Sequence, residues 1–413
     1  MFSTTVSFSE WIREVCERQP EAARLLAEPE QEQRRRGYYH TLREILQQPA
    51  SWVRTADQVS SLGGELGPSI AGIRNLFLTG SGSSEYAGHC VRLALQNHLQ
   101  VNTLAIGGGV LLTNGGQVLP PDRPALLVSL ARSGDSPESA GAISLLLEAE
   151  PDLRHLVITC NSTGKLATNY RNDPRVRVVA LEDGTNDRSL VMTSSFTNLV
   201  IAAQSLGYLD DVDTYKARCR KSSKIVGELL ASSFEKLAQV SSCEFNRAAF
   251  LGTGAQFGAA RESALKMLEM TAGRVSVLAE TYLGLRHGPM SYVDAETLVV
   301  CFLSSDLTVR AYEYDLIREL RQKNLGKMKI IVGENIPAEL VCDQDVALEC
   351  PGLADIGDDG APLVDVVVAQ LLAFFRCLRE GLRPDSPSEG GIINRVVQSF
   401  TLHFPAHKKK RQQ

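Results

Sequence analysis

Ala248-Ala-Phe-Leu-Gly252-Thr-Gly254, leading on to Glu262-Ser-Ala-Leu-Lys266-Met-Leu-Glu269, reads as one strand, one tight turn and one helix. On that helix positions i, i+4 and i+7 share a face, so Glu262, Lys266 and Glu269 point the same way. Ala264, Leu265, Met267, Leu268 and Met270 make the surround apolar, which implies burial on most sides. An E-x-x-x-K-x-x-E pattern is ordinarily a solvated, salt-bridged face. Inside an apolar helix beside a Gly-rich turn it becomes a candidate proton-transfer array. Just downstream, Leu285-Arg-His287-Gly288-Pro289 sets a histidine in a turn stiffened by Gly-Pro. A lone histidine is more often structural, but an imidazole titrating near neutrality suits the same chemistry.

The strand–turn–helix pattern occurs twice. Asn75-Leu-Phe-Leu-Thr79 leads into Gly80-Ser-Gly82-Ser-Ser84 and a helix to about His98, matching Leu251-Gly252-Thr-Gly254 in the second half. Further strands are expected at Val101–Ile106, Ala125–Leu130, His155–Cys160 and Val176–Leu181, with helices starting near Ser136 and Thr193. In the second half strands are expected at Ala248–Leu251, Val275–Leu278, Leu298–Leu303, Lys329–Val332 and Val346–Glu349, and helices at Ala255–Ala272, Val309–Asn324 and Pro362–Gly381. Apolar, β-branched runs alternating with helical stretches predict parallel sheets covered on both faces. The economical description is an α/β chain with two tandem five-stranded αβα units. A helical linker, roughly 205–242, joins them. Expected divisions are an N-terminal helical extension (1–51), a first unit (52–215), a second unit (216–385) and a tail (386–413). In the extension, Phe8–Gln19 and Gln33–Gln47 show helical spacing, with breaks expected at Pro20 and Pro49.

Two serine-rich turns fall at strand ends in the first unit. Gly80-Ser-Gly82-Ser83-Ser84-Glu85 offers backbone N–H groups and a helix N-terminus, an anion site in kind. A dinucleotide fingerprint fails here, because Glu85 stands where the third glycine belongs. Arg132-Ser133-Gly134-Asp135-Ser136-Pro137 is the second turn, with Ser136-Pro137 as an N-cap and N1 pair. Either turn alone is compatible with a plain capped helix. Together they bring Ser83, Ser84, Arg132, Ser133 and Ser136 toward one crevice suited to a phosphate monoester. Thr193 and Ser194, opening a third helix, add candidate hydroxyls, although a plain N-cap explains them equally well.

At 413 residues, 44% hydrophobic and 22% charged, the chain has core enough for two ordinary domains. Its formal charge of −5 provides no global basic field for nucleic acid or a membrane surface. The run Val364–Phe375 is too short to span a bilayer. Met1–Glu10 is polar and lacks the apolar core of a secretion signal. Nine cysteines, odd in number and without a C-x-x-C pair, suggest reduced thiols and a cytoplasmic location. Seven histidines without metal spacing predict no metal site and no cofactor.

These motifs resemble the double-SIS sugar isomerase family from about Trp52 to Phe404. Within it the chain looks most like the tagatose-6-phosphate ketose/aldose isomerase group, also described as galactosamine-6-phosphate deaminases. Ala131–Ser139, Asp187–Ser195 and Asn394-Arg-Val-Val-Gln398 carry the closer likeness. It also resembles the isomerase half of glutamine–fructose-6-phosphate aminotransferase. That resemblance implies phosphate contacts at Ser84, Ser133 and Ser136. It also implies proton transfer and ring opening at Glu269 and His287, supported by Glu262 and Lys266. One serine of the aminotransferase phosphate turn is Ala131 here, with Arg132 as an expected compensation. The aminotransferase's catalytic lysine near the C-terminus has no match in Asn394-Arg395-Val396-Val397, and Lys408–Lys410 lie in no comparable context. The implied reaction converts galactosamine 6-phosphate to tagatose 6-phosphate and ammonia. Glucosamine 6-phosphate deamination, simple ketose/aldose isomerisation and a non-catalytic sugar-phosphate sensor are the alternatives, and the carboxylate–histidine set argues against the sensor. In related double-SIS enzymes the histidine comes from the neighbouring subunit, which implies a homodimer with shared sites.

Overall fold

The computed structural model describes residues 8–388, 390–396 and 401–403. The start of the chain, Val397 and Lys408–Lys410 lie outside the described residues.

Ten strands form two sheets. The first comprises β1 (Asn75–Gly80), β2 (Asn102–Gly107), β3 (Ala125–Ala131), β4 (Leu153–Thr159) and β5 (Val176–Ala180), in the order β2-β1-β3-β4-β5. The second comprises β6 (Arg247–Leu251), β7 (Ser276–Glu280), β8 (Thr297–Phe302), β9 (Met328–Gly333) and β10 (Val346–Glu349), in the order β10-β9-β8-β6-β7. Every pairing is parallel. Read from opposite ends, the two orders are the same, as an internal duplication requires. β1 and β6 start 172 residues apart, and so do β3 and β8. Buried on both faces, β1, β3 and β8 are apolar almost throughout.

Each expected strand is present within a residue or two. The helices differ more. Gln33–Gln47 is two helices, Glu30–Arg36 and Tyr39–Leu46, because Gly37 adopts φ 68° and closes the first with a left-handed cap. The breaks expected at Pro20 and Pro49 are present: Phe8–Arg18 and Tyr39–Leu46 end just before them, and each proline stands in the first turn of the next helix, Pro20–Ala27 or Gln48–Ser61. The expected limits at 51 and 215 fall inside the helices Gln48–Ser61 and Val212–Ser242. The last helix runs Leu353–Arg379 with a kink at Gly357, starting well before Pro362. By length and composition it could cross a bilayer, but 94% of its apolar window is buried in the protein. It is the core helix of the second unit, packed against Val212–Ser242 and Ala255–Met270.

One close contact fixes how the units meet. The helices Ser83–Leu99 and Ala255–Met270 cross antiparallel, with Lys266 against Ser83 at one end and Gly254 near Leu93 at the other. At the crossing a Cβ on Gly258 would stand 2.7 Å from the Cys90 backbone nitrogen, so no larger residue fits without parting the helices. The C-terminal edge of the first sheet therefore faces the far end of the second unit's first helix.

Candidate active site

A crevice of about 380 Å³ opens at the C-terminal edge of β1 and β3, where the first sheet's strand order reverses. Ser81–Ser84 line one side, Leu130–Gly134 with Ser136 and Ser139 another, and Leu190 and Met192 a third. Glu269 closes the bottom and Ile392–Arg395 the top. Positive φ at Gly82 (57°) and Gly134 (67°) lets both turns fold tightly under their helices.

The acid helix is buried as its apolar surround predicts. Lys266 and Glu262 are wholly excluded from solvent, whereas the Glu269 side chain keeps 21% of its exposure at the crevice. Lys266 Nζ lies 2.5 Å from Glu269 Oε2 and 3.3 Å from Glu262 Oε1, and donates to Ser83 Oγ at 3.1 Å. Burial raises the Glu262 carboxyl to about 7; Lys266 opposes that rise and the nearby Glu269 adds to it. Burial alone would depress Lys266, but the two carboxylates outweigh it and hold the amine protonated above its ordinary value. The ammonium thus ties the second unit's acids to the first unit's serine turn.

The hydroxyls divide into two groups. Ser136 caps its helix without a side-chain bond, which leaves its hydroxyl to the crevice. Ser133 Oγ accepts only from the Asp135 amide at 3.2 Å, and Ser84 Oγ has only the Met192 sulfur at 3.8 Å. Thr193 and Ser194 belong elsewhere. Ser194 Oγ accepts from Gln47 and Asn198, and neither residue lines the crevice. The cap expected from Thr193 is supplied by Asp187, whose Oδ2 accepts from the Thr193 and Ser195 amides at 2.7 and 2.8 Å.

Arg132 lines the crevice with its terminal nitrogens already engaged. It donates to the carbonyls of Leu190 (2.8 Å), Ser189 (3.3 Å) and Arg395 (2.5 Å). These bonds hold the Ser189–Leu190 loop and the tail in place while the side chain lines the crevice. Arg395 returns the contact by donating to the Asp187 carbonyl and to Asn186. From below, Glu44 of the N-terminal extension accepts from the Arg188 amide at 2.6 Å and from the amide and hydroxyl of Ser189. Burial, and then their mutual repulsion, raises the Glu44 carboxyl; burial likewise raises Asp187. Nothing in the sequence around Glu44 marks it as part of this support.

His287 is exposed and not among the crevice residues. It follows β7 at the C-terminal edge of the second sheet, where the Ala255–Met270 helix also starts. Glu269 lies fourteen residues after Ala255 on that helix, about 21 Å along its axis from the helix start at 1.5 Å per residue.

The corresponding crevice of the second unit is filled from within. Asp358 accepts from Ser304 Oγ (2.5 Å), the Ser305 amide (2.6 Å) and Ser305 Oγ (2.7 Å), and Glu313 accepts from the Ser304 amide (2.8 Å). At the 172-residue spacing Cys90, Ala94 and Asn97 stand for Glu262, Lys266 and Glu269, so that side has no acid array. Among the described residues no group of three His, Cys, Asp or Glu is gathered to hold a metal ion.

Known proteins match this arrangement. The SIS domain family model matches residues 243–375. A Streptomyces coelicolor protein provisionally named D-galactosamine-6-phosphate deaminase AgaS is 38% identical over 88% of this chain and 95% of its own length. The D-galactosamine-6-phosphate deaminase AgaS of Escherichia coli is 33% identical over 88% of this chain and 95% of its own. A Clostridium novyi crystal structure provisionally named tagatose-6-phosphate ketose/aldose isomerase superposes with a TM-score of 0.84 at 33% identity, covering 90% of this chain and 96% of that one. With a duplicated fold, one serine-lined crevice and relatives this close over nearly their whole length, the chain belongs to the SIS-domain family that includes AgaS.

Proposed function

We propose that this protein is a sugar-phosphate deaminase/isomerase that converts galactosamine 6-phosphate to tagatose 6-phosphate and ammonia. The observation that carries the reading is the Glu262–Lys266–Glu269 array, buried at its root and open only at Glu269, facing two serine turns across one crevice. The relatives named above supply the substrate class. The phosphate binds at Ser84, Ser133 and Ser136 and orients the chain of carbons toward Glu269. After ring opening, Glu269 removes the C2 proton and returns one at C1, passing through an enolamine. Water then hydrolyses the C2 imine, giving ketose and ammonia. Lys266 holds Glu269 in place through their ion pair.

Ring opening needs a second group to move a proton from O1 to the ring oxygen, and His287 is assigned that step from the neighbouring subunit of a homodimer. The exposure of His287 and its place outside the crevice of its own chain support this assignment. The division into extension, two SIS units and tail, and a cytoplasmic location, belong to the same proposal. The test measures ammonia and ketose side by side on galactosamine 6-phosphate, glucosamine 6-phosphate and tagatose 6-phosphate. Equimolar ammonia and ketose, fastest from galactosamine 6-phosphate, is the expected result. Interconversion of ketose and aldose without ammonia from either amino sugar would replace deamination by isomerisation, and no turnover of any of the three would overturn the enzyme reading.

A further inference from the structure

At the other edge of the first sheet lies a second cavity, of about 510 Å³, between the starts of β4 and β5. It is separated from the crevice by the length of the sheet, roughly 20 Å for a seven-residue strand. Arg154, Arg171, Arg175 and Arg177 line it, together with Asp152, Asp173 and His155. Four guanidiniums in one cavity of an acidic protein require explanation.

His155 is the most informative member. It is 2% exposed, borders the cavity, and neither Nδ1 nor Nε2 has a hydrogen-bond partner. A neutral imidazole carries one N–H donor and one acceptor, and buried polar atoms are almost always paired. Burial, and then the neighbouring Arg175, lowers this histidine to about 4, so the ring is neutral near pH 7 and its N–H lacks an acceptor. The arginines are only partly engaged. Arg175 forks onto Asp173 at 2.8 and 3.0 Å and donates to the Leu147 carbonyl. Arg177 pairs with Glu65 at the rim. Arg154 directs one terminal nitrogen at the carbonyls of Pro68, Ser69 and Ala71, and Arg171 one at that of Ser162. The remaining N–H groups of Arg154 and Arg171 have no acceptor among the described residues. Four arginines against Asp152, Asp173 and Glu65 leave net positive charge.

We propose that this cavity binds an organic phosphate at a site separate from the crevice, with Arg154 and Arg171 donating to the phosphoryl oxygens above the buried His155 ring, whose signals report the occupancy. A phosphomonoester carries nearly two negative charges at neutral pH and offers three acceptor oxygens, and guanidinium recognises that geometry in pairs. The volume suits a phosphorylated metabolite of sugar size. Two helices connect the sites. Pro137–Ala149 starts at Ser136 in the crevice and ends at the cavity beside Leu147. Lys165–Tyr170 starts under the Gly134 turn, where Lys165 and Leu166 amides bind Asp135 and Gly134, and ends at Arg171.

The test is histidine-selective ¹⁵N NMR of the full chain, titrated with inorganic phosphate and then with glycerol 3-phosphate, with the His155 signals assigned through His155→Gln. The expected result is a saturable shift of the His155 ring signals by both probes. Arg171→Glu, an exposed position remote from the crevice, should weaken that binding at least about tenfold while the fold, read by its melting curve, is retained. A His155 signal that does not move up to tens of millimolar phosphate overturns the proposal. So does a shift that persists unchanged in both Arg171→Glu and Arg154→Gln, since it would then arise from the crevice or from ionic strength.

Discussion

Replacing Lys266 by methionine removes a fully buried cation and leaves the equally buried Glu262 facing no counter-charge. Breaking a buried ion pair from one side costs about 3–5 kcal/mol, because the remaining charge can neither reach water nor find a partner. At roughly 2–4 °C per kcal/mol for chains of a few hundred residues, the melting temperature should fall by about 6–20 °C. The loss must depend on pH. The folded-state carboxyl of Glu262 is already raised to about 7 from its ordinary 4.5, so it binds a proton more tightly folded than unfolded. A raised acid favours the folded state below its unfolded value and loses that advantage as pH climbs through the folded one. Without Lys266 the folded value rises further, so the gap between variant and wild type should widen from pH 5 to pH 8. Glu262→Met added to Lys266→Met removes the stranded acid and should recover most of the stability. Circular dichroism melts of the three proteins at both pH values check this. A single variant within about 1 kcal/mol of wild type at pH 8, or a double variant no better than the single, would refute the reasoning that Lys266 neutralises Glu262.

Other outcomes follow from the crevice. Glu269→Gln should cut kcat by the roughly 10²–10⁴ typical of a general acid–base group, with KM little changed; a loss below about tenfold removes Glu269 from the chemistry. Ser133→Ala and Ser136→Ala should raise KM, each by the ~1.5–3 kcal/mol of a hydrogen bond to a charged group, and unchanged affinity in both would place the phosphate elsewhere. Mixing inactive Glu269→Gln and His287→Asn proteins after dissociation and reassociation should restore one working site per mixed dimer. If proven subunit exchange restores nothing, His287 does not serve a partner's site.

The strands were legible because burial on both sheet faces leaves an apolar run with no alternative reading, as in Leu126-Leu-Val128 or Leu298-Val-Val300. Glycine turns were legible for a steric reason: Gly82 and Gly134 adopt positive φ where the sequence places a strand-to-helix turn. What escaped the sequence was set by distant partners. Thr193 and Ser194 look like cap hydroxyls, yet Asp187 supplies the cap and Gln47 and Asn198 occupy Ser194. Arg132 looks like a phosphate ligand, yet backbone carbonyls more than fifty residues away take its donors. Glu44 has a local pattern no different from any helical glutamate, and only the folded loop at Arg188–Ser189 gives it a task. The Gly37 break was missed because a single glycine within a periodic run is often tolerated.

Asp358, seated on Ser304 and Ser305, makes the two halves unlike at the matching turn. The carboxylate comes from the chain itself, so the serines of this turn already have an acidic partner, whereas those of the first unit face the crevice. Duplication of the fold thus did not duplicate the acid array: Glu262, Lys266 and Glu269 stand on one helix of the second unit, and Cys90, Ala94 and Asn97 hold the matching places in the first. The second unit instead carries the buried acid array on its Ala255–Met270 helix and leaves His287 exposed beyond β7.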